Sequence, residues 1–542
     1  MRATAASGIG QREKITTLAD VVSRFSQKTK SFRPPIRTPL PPTSFRPSDL
    51  LADRFDGDYS RIVKTTDRTP TLDELKTVAS KINLRFDDYI GARPASGSVN
   101  GVALSKVGNY ERSWYRDMAL LADSMFEIGL DQEGTDILFR IFKFSNSPEQ
   151  RERFYDNFVA AGRETSWNRY QMQNTGIFHP HIVGMRNDSG DLKTSHREWG
   201  HAQIDGTALS LQVLFYWANK GRINVLDFNE KLSAVDYSDY PPNKSGSKEN
   251  FNKHESIMVL MLKFLSYINA PHQNDFAAWE EFRHPKRLSI AAATTACAIE
   301  AKEHFVRANW NPKDTLNVAE DYTSPVFYND LNRLIDAGTW VMENRIPTDG
   351  INPARESDYQ VGDGSSCWVL GTLYKTLSLS MNQQQGLINA VNTLIREWGM
   401  ARYENDPFLG SGYLRNGSHS LMASNRIPGR EATWPLLSAY YAKYNFDRFA
   451  KGGYINTELL ARGISHANSV FSQVTVPTKV HHHIYGEADV EGGYLPEANS
   501  FDPEDQSSVR PTAHASPLIW TEAATMSMMA SYLNALGYER KK

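Results

Sequence analysis

Five segments of the 542-residue chain gather side chains that can do chemistry. The first holds Tyr110, Trp114, Arg116 and Asp117, just ahead of a predicted helix. An Arg beside an Asp offers donors and acceptors together, which suits hydroxyl groups. The second, Trp199, Gly200, His201, Gln203, Asp205 and Gly206, also opens a helix, and Asp205 equally fits a helix cap there. The third places Glu280 and Glu281 directly after Trp279. An indole beside a carboxyl can desolvate it and raise its pKa, as a proton donor requires. The fourth runs Arg402, Tyr403, Glu404, Asp406, and later Glu431 and Trp434. The fifth sets Glu497 after Gly492, Gly493 and Pro496, on irregular backbone that can aim a side chain, with Pro517, Leu518 and Trp520 beyond it. Taken singly, each segment also fits an ordinary cap, a surface charge or a packed aromatic.

Helices must position these segments. After residue 70, apolar residues recur at helical spacing and strand alternation is scarce. One helix begins at TPTLDELKTVASKI, where Thr71 can cap and Asp73 and Glu74 suit the positive end. Others are predicted near 116–128, 131–145, 206–219, 254–268, 285–308, 326–345, 365–380, 384–399, 431–445, 454–474 and 516–537. Long loops at 146–200, 221–253, 346–364, 402–430 and 475–515 separate them, and loops of such length in a compact domain are usually functional. About twelve paired helices suit an all-α toroid in which inner helices are wrapped by outer ones, with its site built by the loops at one end. This domain is expected over 71–542. Residues 1–70 read as an extended arm rich in Pro and Arg (Pro34, Pro35, Pro39, Pro41, Pro42, Pro47), with a short helix near 15–28.

Composition removes several classes. A formal net charge of -2 gives no reason to expect nucleic acid or a membrane surface as partner. No stretch has the roughly 18 apolar residues of a membrane span. The N-terminal residues lack the apolar core of a secretory signal, and Cys297 and Cys367, both in apolar runs, read as buried free thiols. The expectation is a cytoplasmic protein, with organelle targeting by the arm as the alternative. The tract His481, His482, His483 has no second ligand cluster, and no cofactor motif is present, so no metal or cofactor is expected.

Together and in order, the five segments resemble glycoside hydrolase family 15, the glucoamylase family, across residues 110 to 522. The resemblance implies an (α/α)6 barrel and an inverting exo-acting hydrolase that releases terminal glucose from an α-glucoside or α-glucan. By position, Glu280 resembles the general acid and Glu497 the general base. Arg116, Asp117 and Arg402 resemble the clamp on the terminal glucose. Trp199, Trp279 and Trp434 resemble its aromatic walls, Tyr110 the phenol that places the catalytic water, and Glu281 a contact to the next sugar. An inverting pair stands ~6.5–9.5 Å apart to admit water. Ala498 and Ala278 depart from the family's usual Gln and Leu, and the loop 146–198 is long, so a smaller α-glucoside competes with starch as substrate. WGHAQID and DFAAWE are also similar to the barrel of phosphorylase kinase regulatory subunits, which would make the chain a non-catalytic sugar-sensing or assembly module. Retention of both carboxylates and the Arg/Asp clamp favours the enzyme. A cyclase-like barrel would want Cys/His ligands or a dense Asp cluster, and neither is present. Oligomeric state is not legible.

Overall fold

The computed structural model describes residues 15–27, 71–84, 113–148, 150–151, 181–182, 204–235, 256–273, 287–308, 324–357, 360–396, 399–406, 431–475, 478–482, 486–490, 492–501, 509–511 and 518–541. Among these the chain is overwhelmingly helical, with fourteen α-helices and a few short antiparallel strand pairs. The helices are α1 (Leu18–Ser23), α2 (Leu72–Ala79), α3 (Tyr115–Glu127), α4 (Asp131–Ser145), α5 (Ile204–Asn219), α6 (Val225–Ser233) and α7 (Ile257–Tyr267). They continue as α8 (Leu288–Arg307), α9 (Ser324–Arg345), α10 (Ser365–Trp368), α11 (Met381–Asn392), α12 (Pro435–Lys451), α13 (Thr457–Phe471) and α14 (Ile519–Ala535).

Six of them form a closed inner ring. α3 packs on α5, α5 on α8, α8 on the π turn Val369–Leu373 that continues α10, that turn on α12, α12 on α14, and α14 back on α3. Each inner helix carries an outer partner: α4 on α3, α7 on α5, α9 on α8, α11 on α10, α13 on α12 and α1 on α14. This is the six-hairpin (α/α)6 toroid. The sequence encodes the two layers differently. α14 is buried at nearly every position from Ile519 to Leu533, because an inner helix meets protein on all sides. Outer α4 buries the stripe Gly134, Ile137, Leu138, Ile141 and Phe142, which repeats every three to four residues.

The ring's seam is held by polar contacts inside the core. Ser124 Oγ on α3 lies 2.8 Å from the carbonyl of Ala523 and 2.8 Å from Ser527 Oγ, both on α14. Beside it, β1 (Phe25–Gln27) pairs antiparallel with β10 (Tyr538–Arg540), Phe25 opposite Arg540. The short helix expected near 15–28 is α1, whose Leu18, Val21 and Val22 are fully buried. The Pro/Arg-rich stretch that follows lies outside the described residues.

All twelve expected helices are found, with two differences inside them and one addition. The span 365–380 is helical only to Leu373, switching at Val369 from α to π geometry. A Cβ on Gly371 would stand 2.7 Å from Tyr440 Cβ, so the bare glycine lets the π turn and α12 approach there. The helix expected to reach 399 stops at Asn392. The expected loop 221–253 contains α6, started by Asn224, whose side chain accepts from the N–H of Leu226 at 3.1 Å. The expected loop 475–515 contains the strand pairs β6 (Thr478–His482) with β7 (Gly486–Val490) and β8 (Asn499–Phe501) with β9 (Val509–Pro511). Both cysteines are free and buried. No described helix is long and apolar enough to cross a membrane.

Candidate active site

The N-terminal ends of the inner helices hold the described candidates. Arg116 and Asp117 occupy the first turn of α3, and Asp205 the first turn of α5. Arg116 Nη1 donates to Asp205 Oδ2 at 2.6 Å, with both residues buried. Its guanidinium also lies 5.0 Å from the ring centre of Trp520, in the first turn of α14. Trp520 is in turn held by its Nε1, which donates to Tyr440 Oη at 2.7 Å. One arginine therefore links the starts of three inner helices, and Asp117 follows it directly in sequence. Burial pushes the Asp117 carboxyl up to about 6; Arg116 and its own backbone N–H pull the other way without cancelling it. Asp205 is thus a partner that orients Arg116 from the next helix rather than only a cap.

A second arginine is fixed in the same style. Arg402 donates through Nε and Nη2 to the two oxygens of Asp406, both at 2.7 Å, a bidentate pair that sets the plane of the guanidinium. That plane stands 4.8 Å from the ring centre of Trp434 and 5.4 Å from that of Tyr403. Glu431, from the same segment, has a structural role. It accepts from Arg396 Nε at 2.6 Å and from the N–H of Asn405 at 2.9 Å. Burial alone would raise its pKa, but the Arg396 hydrogen bond and the backbone N–H groups hold it below the ordinary value.

Backbone bonds lace Glu497 into this rim. Trp434 N donates to Met400 O at 2.8 Å, two residues before Arg402. Thr433 and Asn499 exchange both backbone bonds at 2.9 Å, which places Glu497 two residues from a chain paired beside Trp434. Leu518 N donates to Leu495 O at 3.0 Å, tying the other side of the segment to the start of α14 and so to Trp520. Gly493 makes the turn possible: its φ is +86°, and a Cβ there would meet Asn83 Nδ2 at 2.8 Å. Glu497 itself is 9% exposed and sits between buried Pro496 and Ala498. The segment read as an irregular loop is thus a pinned one, where a carboxylate keeps a fixed address.

Arg116, Asp117, Arg402, Trp434 and Glu497 therefore share one end of the ring, joined by named bonds. Tyr110, Trp199, Trp279, Glu280 and Glu281 lie outside the described residues, and so does the Glu280–Glu497 separation. The helix that follows Glu280 is nevertheless anchored: Glu356 Oε1, on β4 (Arg355–Ser357), accepts from the N–H groups of Arg287 and Ser289, both at 3.1 Å, and from Ser289 Oγ at 2.7 Å. The contacts that the sequence did not reveal are Asp205 to Arg116, Trp520 under Arg116, and Glu356 at the start of α8. The first two stood inside the recognised segments; Glu356 carried no local signal. Among the described residues no group of three or more His, Cys, Asp or Glu side chains could hold a metal ion.

The fold is an all-helical toroid with a buried cluster of arginine–aspartate pairs and aromatic rings at the inner helices' N-terminal end. No protein-family model matches the chain, and no curated protein matches it. Solved structures similar to it include glycosidases and glucoamylases. A glycosidase in complex with glucose aligns at a TM-score of 0.49 and 14% identity, over 82% of this chain and 92% of that one. A bacterial glucoamylase complexed with acarbose aligns at 0.42 and 13%, over 84% and 54%. The Hormoconis resinae glucoamylase aligns at 0.43 and 13%, over 89% and 72%. Likenesses at this level carry no residue-by-residue equivalence.

Proposed function

We propose that the chain is a glycoside hydrolase that releases a terminal glucose from an α-glucoside with inversion. Glu280 is the general acid and Glu497 the general base. The observation that supports this best is the placement of Glu497 on a pinned segment beside Arg402, Trp434 and Trp520. A hydrolase needs its base held while water and sugar move.

In this reading the terminal glucose enters with its ring against Trp434 and its hydroxyls toward Asp117 and the two arginines. Arg116 and Arg402 are preorganised by Asp205 and Asp406, so little ordering is left for the substrate to impose. Trp199 and Trp279 complete the walls, Tyr110 helps place the water, and Glu281 meets the next sugar. Glu280 gives its proton to the glycosidic oxygen as the bond from C1 to that oxygen breaks. Glu497 takes a proton from a water whose oxygen bonds to C1 from the opposite face. The products are β-glucose and the shortened saccharide or aglycone alcohol, and the two carboxyls end with their protons exchanged.

The test separates the two glutamates. Glu280→Gln should lose most activity on an α-linked disaccharide but keep far more on α-glucosyl fluoride, whose leaving group needs little protonation. Glu497→Gln should be poor on both, by about 100-fold or more. NMR within the first minutes should show β-glucose forming first. Initial α-glucose would overturn inversion. Binding of glucosides without hydrolysis of any would instead favour a sugar-sensing module.

A further inference from the structure

The C-terminal parts of the inner helices meet in a second polar cluster, at the far end of the ring from the proposed site. Asp123 and Glu127 stand one turn apart at the end of α3 and share a face. Lys443 and Asp447 do the same on α12. Lys375 reaches in from just past the π turn and Trp217 from the last turn of α5, while Ser531 of α14 donates to Asp447. Lys443 bridges Glu127 and Asp447. Lys375 pairs with Asp447 and, at 3.8 Å, with Glu127. Asp123 stands outside these ion pairs. Among the described residues its hydrogen bond comes from Trp217 Nε1, at 2.6 Å.

The charges do not balance. Three carboxyls, Asp123, Glu127 and Asp447, face two ammonium groups, Lys375 and Lys443. With all five ionised, the wall of the ring would hold one uncompensated negative charge, which burial makes unfavourable. That charge would also lie at the negative end of the α3 macrodipole, whose last turn carries no basic residue. One proton removes both problems. Asp447 has two lysines and Ser531, and Glu127 has Lys443, so Asp123 is the acid best placed to carry it. Glu127 Oε2, buried and without a hydrogen-bond partner among the described residues, offers an acceptor on the same helix face. Burial and then the Glu127 charge raise the Asp123 pKa to about 7, against the pull of Trp217, Lys443 and Lys375. Of the neighbouring titratable groups, the phenols of Tyr216 on α5 and Tyr440 on α12 are kept protonated by burial, and Asp131 at the start of α4 is paired with Arg222. Asp123 and Glu127 are each partly exposed, so protons can reach them from solvent.

We propose that this cluster is a proton-operated latch on the ring: Asp123 and Glu127 hold one proton between them, and its loss loosens the junction of α3, α5 and α12. With the proton in place, the cluster is neutral and the three helix ends are held together. With it gone, two carboxylates one turn apart repel each other beside an already satisfied Asp447. The latch needs no substrate and is independent of the hydrolase reading. Its sign follows from the direction of the shift. Folding raises the Asp123 pKa from 3.8 to about 7, so the stabilisation is fully present below about pH 4 and is lost as pH rises through 7.

Urea titration and hydrogen exchange of the full chain at pH 5 and pH 8 test it. Asp123→Asn imitates the protonated acid and keeps an oxygen for Trp217 Nε1. Its unfolding constant, relative to wild type, should be lower at pH 8 by about 100-fold more than at pH 5. In the wild type, exchange corrected for its intrinsic pH dependence should rise about tenfold or more at pH 8 in segments 120–130, 213–222 and 440–451. Asp123→Asn should hold those segments closed. Glu127→Gln reads the same proton from its other holder: the pH at which the wild type loses protection should fall, because the neighbouring charge is gone. Parallel pH profiles for wild type and Asp123→Asn overturn the latch, and an unchanged midpoint in Glu127→Gln overturns the shared proton. Exchange that rises at the starts of α3 and α14 but not in the three segments also overturns it, and places the pH response at Asp117.

Discussion

The two ends of the inner ring handle buried charge in opposite ways. At the N-terminal end, charges sit in separate pairs, Arg116 with Asp205 and Arg402 with Asp406, and Asp117 is left with a carboxyl whose pKa burial has raised. At the C-terminal end, five charges knot together. Lys443 Nζ lies 3.0 Å from Glu127 Oε1 and 2.9 Å from Asp447 Oδ2, and Lys375 Nζ lies 3.0 Å from Asp447. Asp123 is close enough to feel Glu127, Lys443 and Lys375, and it accepts from Trp217 Nε1 at 2.6 Å. Burial opposes both lysine charges, but Asp447 and Glu127 hold them well protonated; the two lysines drive Asp447 far below its ordinary range despite its burial. Burial, then Glu127, raises Asp123. Four of the five satisfy one another, whereas Asp123, like Asp117, keeps a carboxyl whose pKa burial has raised. The other end keeps its charges in isolated pairs, and the raised Asp117 pKa marks a cost in stability there.

The largest effect should come from cutting the knot. Lys443→Met leaves Glu127 and Asp447 short of a buried partner and should lower unfolding free energy by about 3–5 kcal/mol in urea titrations. Folded protein should keep its disaccharide rate, because the knot lies at the far end from the proposed site. A variant as stable as wild type would mean that water, not the lysine, satisfies those acids.

Asp117→Asn sharpens the contrast from the other side. The Asp117 pKa is raised from 3.8 to about 6 by folding, so its folded state favours the proton. Its contribution is therefore fully present below about pH 4 and is lost as pH rises to about 6. The Asn variant should match wild type in stability below pH 4 and exceed it by about 2–3 kcal/mol above pH 6. Its kcat/KM on a disaccharide should fall by about 100-fold, since the sugar loses a charged acceptor. A stability gain with full activity would move the clamp elsewhere. The smallest effect belongs to the seam: Ser527→Ala removes one partner of Ser124 and should cost about 1 kcal/mol by thermal or denaturant unfolding, with activity unchanged.

Helical periodicity carried most of this architecture, because a two-layer helical ring imposes a 3.6-residue repeat on every element. α6 escaped notice because only Val225, Phe228 and Leu232 are buried in a mostly polar nine-residue helix. The hairpin of β6 and β7 escaped because its pairing, Lys479 opposite Asp489 and His481 opposite Glu487, involves polar residues without apolar alternation. At the site, residue types and local order were legible, but the Arg402–Asp406 pair was not, since the segment is a loop in which a four-residue spacing does not by itself bring side chains together. Nor was the pairing of Arg116 with Asp205, since the partners are 89 positions apart and meet only when the ring closes. Glu356 capping α8 from 67 positions away is the same kind of fact.

The seam also gives the fold a schedule. Ser124 and Ser527 are separated by 403 positions, so α3 leaves the ribosome long before α14 exists to cover it. At ~5–20 residues per second, that interval is about 20–80 s, during which the α14-facing side of α3 has no native cover. Each hairpin can form from local contacts as it emerges, but ring closure waits for one late, long-range docking event. Asp117 and Trp520, which flank the proposed site from the two sides of that seam, come together only then. Until α14 docks, a growing chain can pair Arg116 with Asp205 but lacks the Trp520 ring beside it, so the proposed clamp is half built.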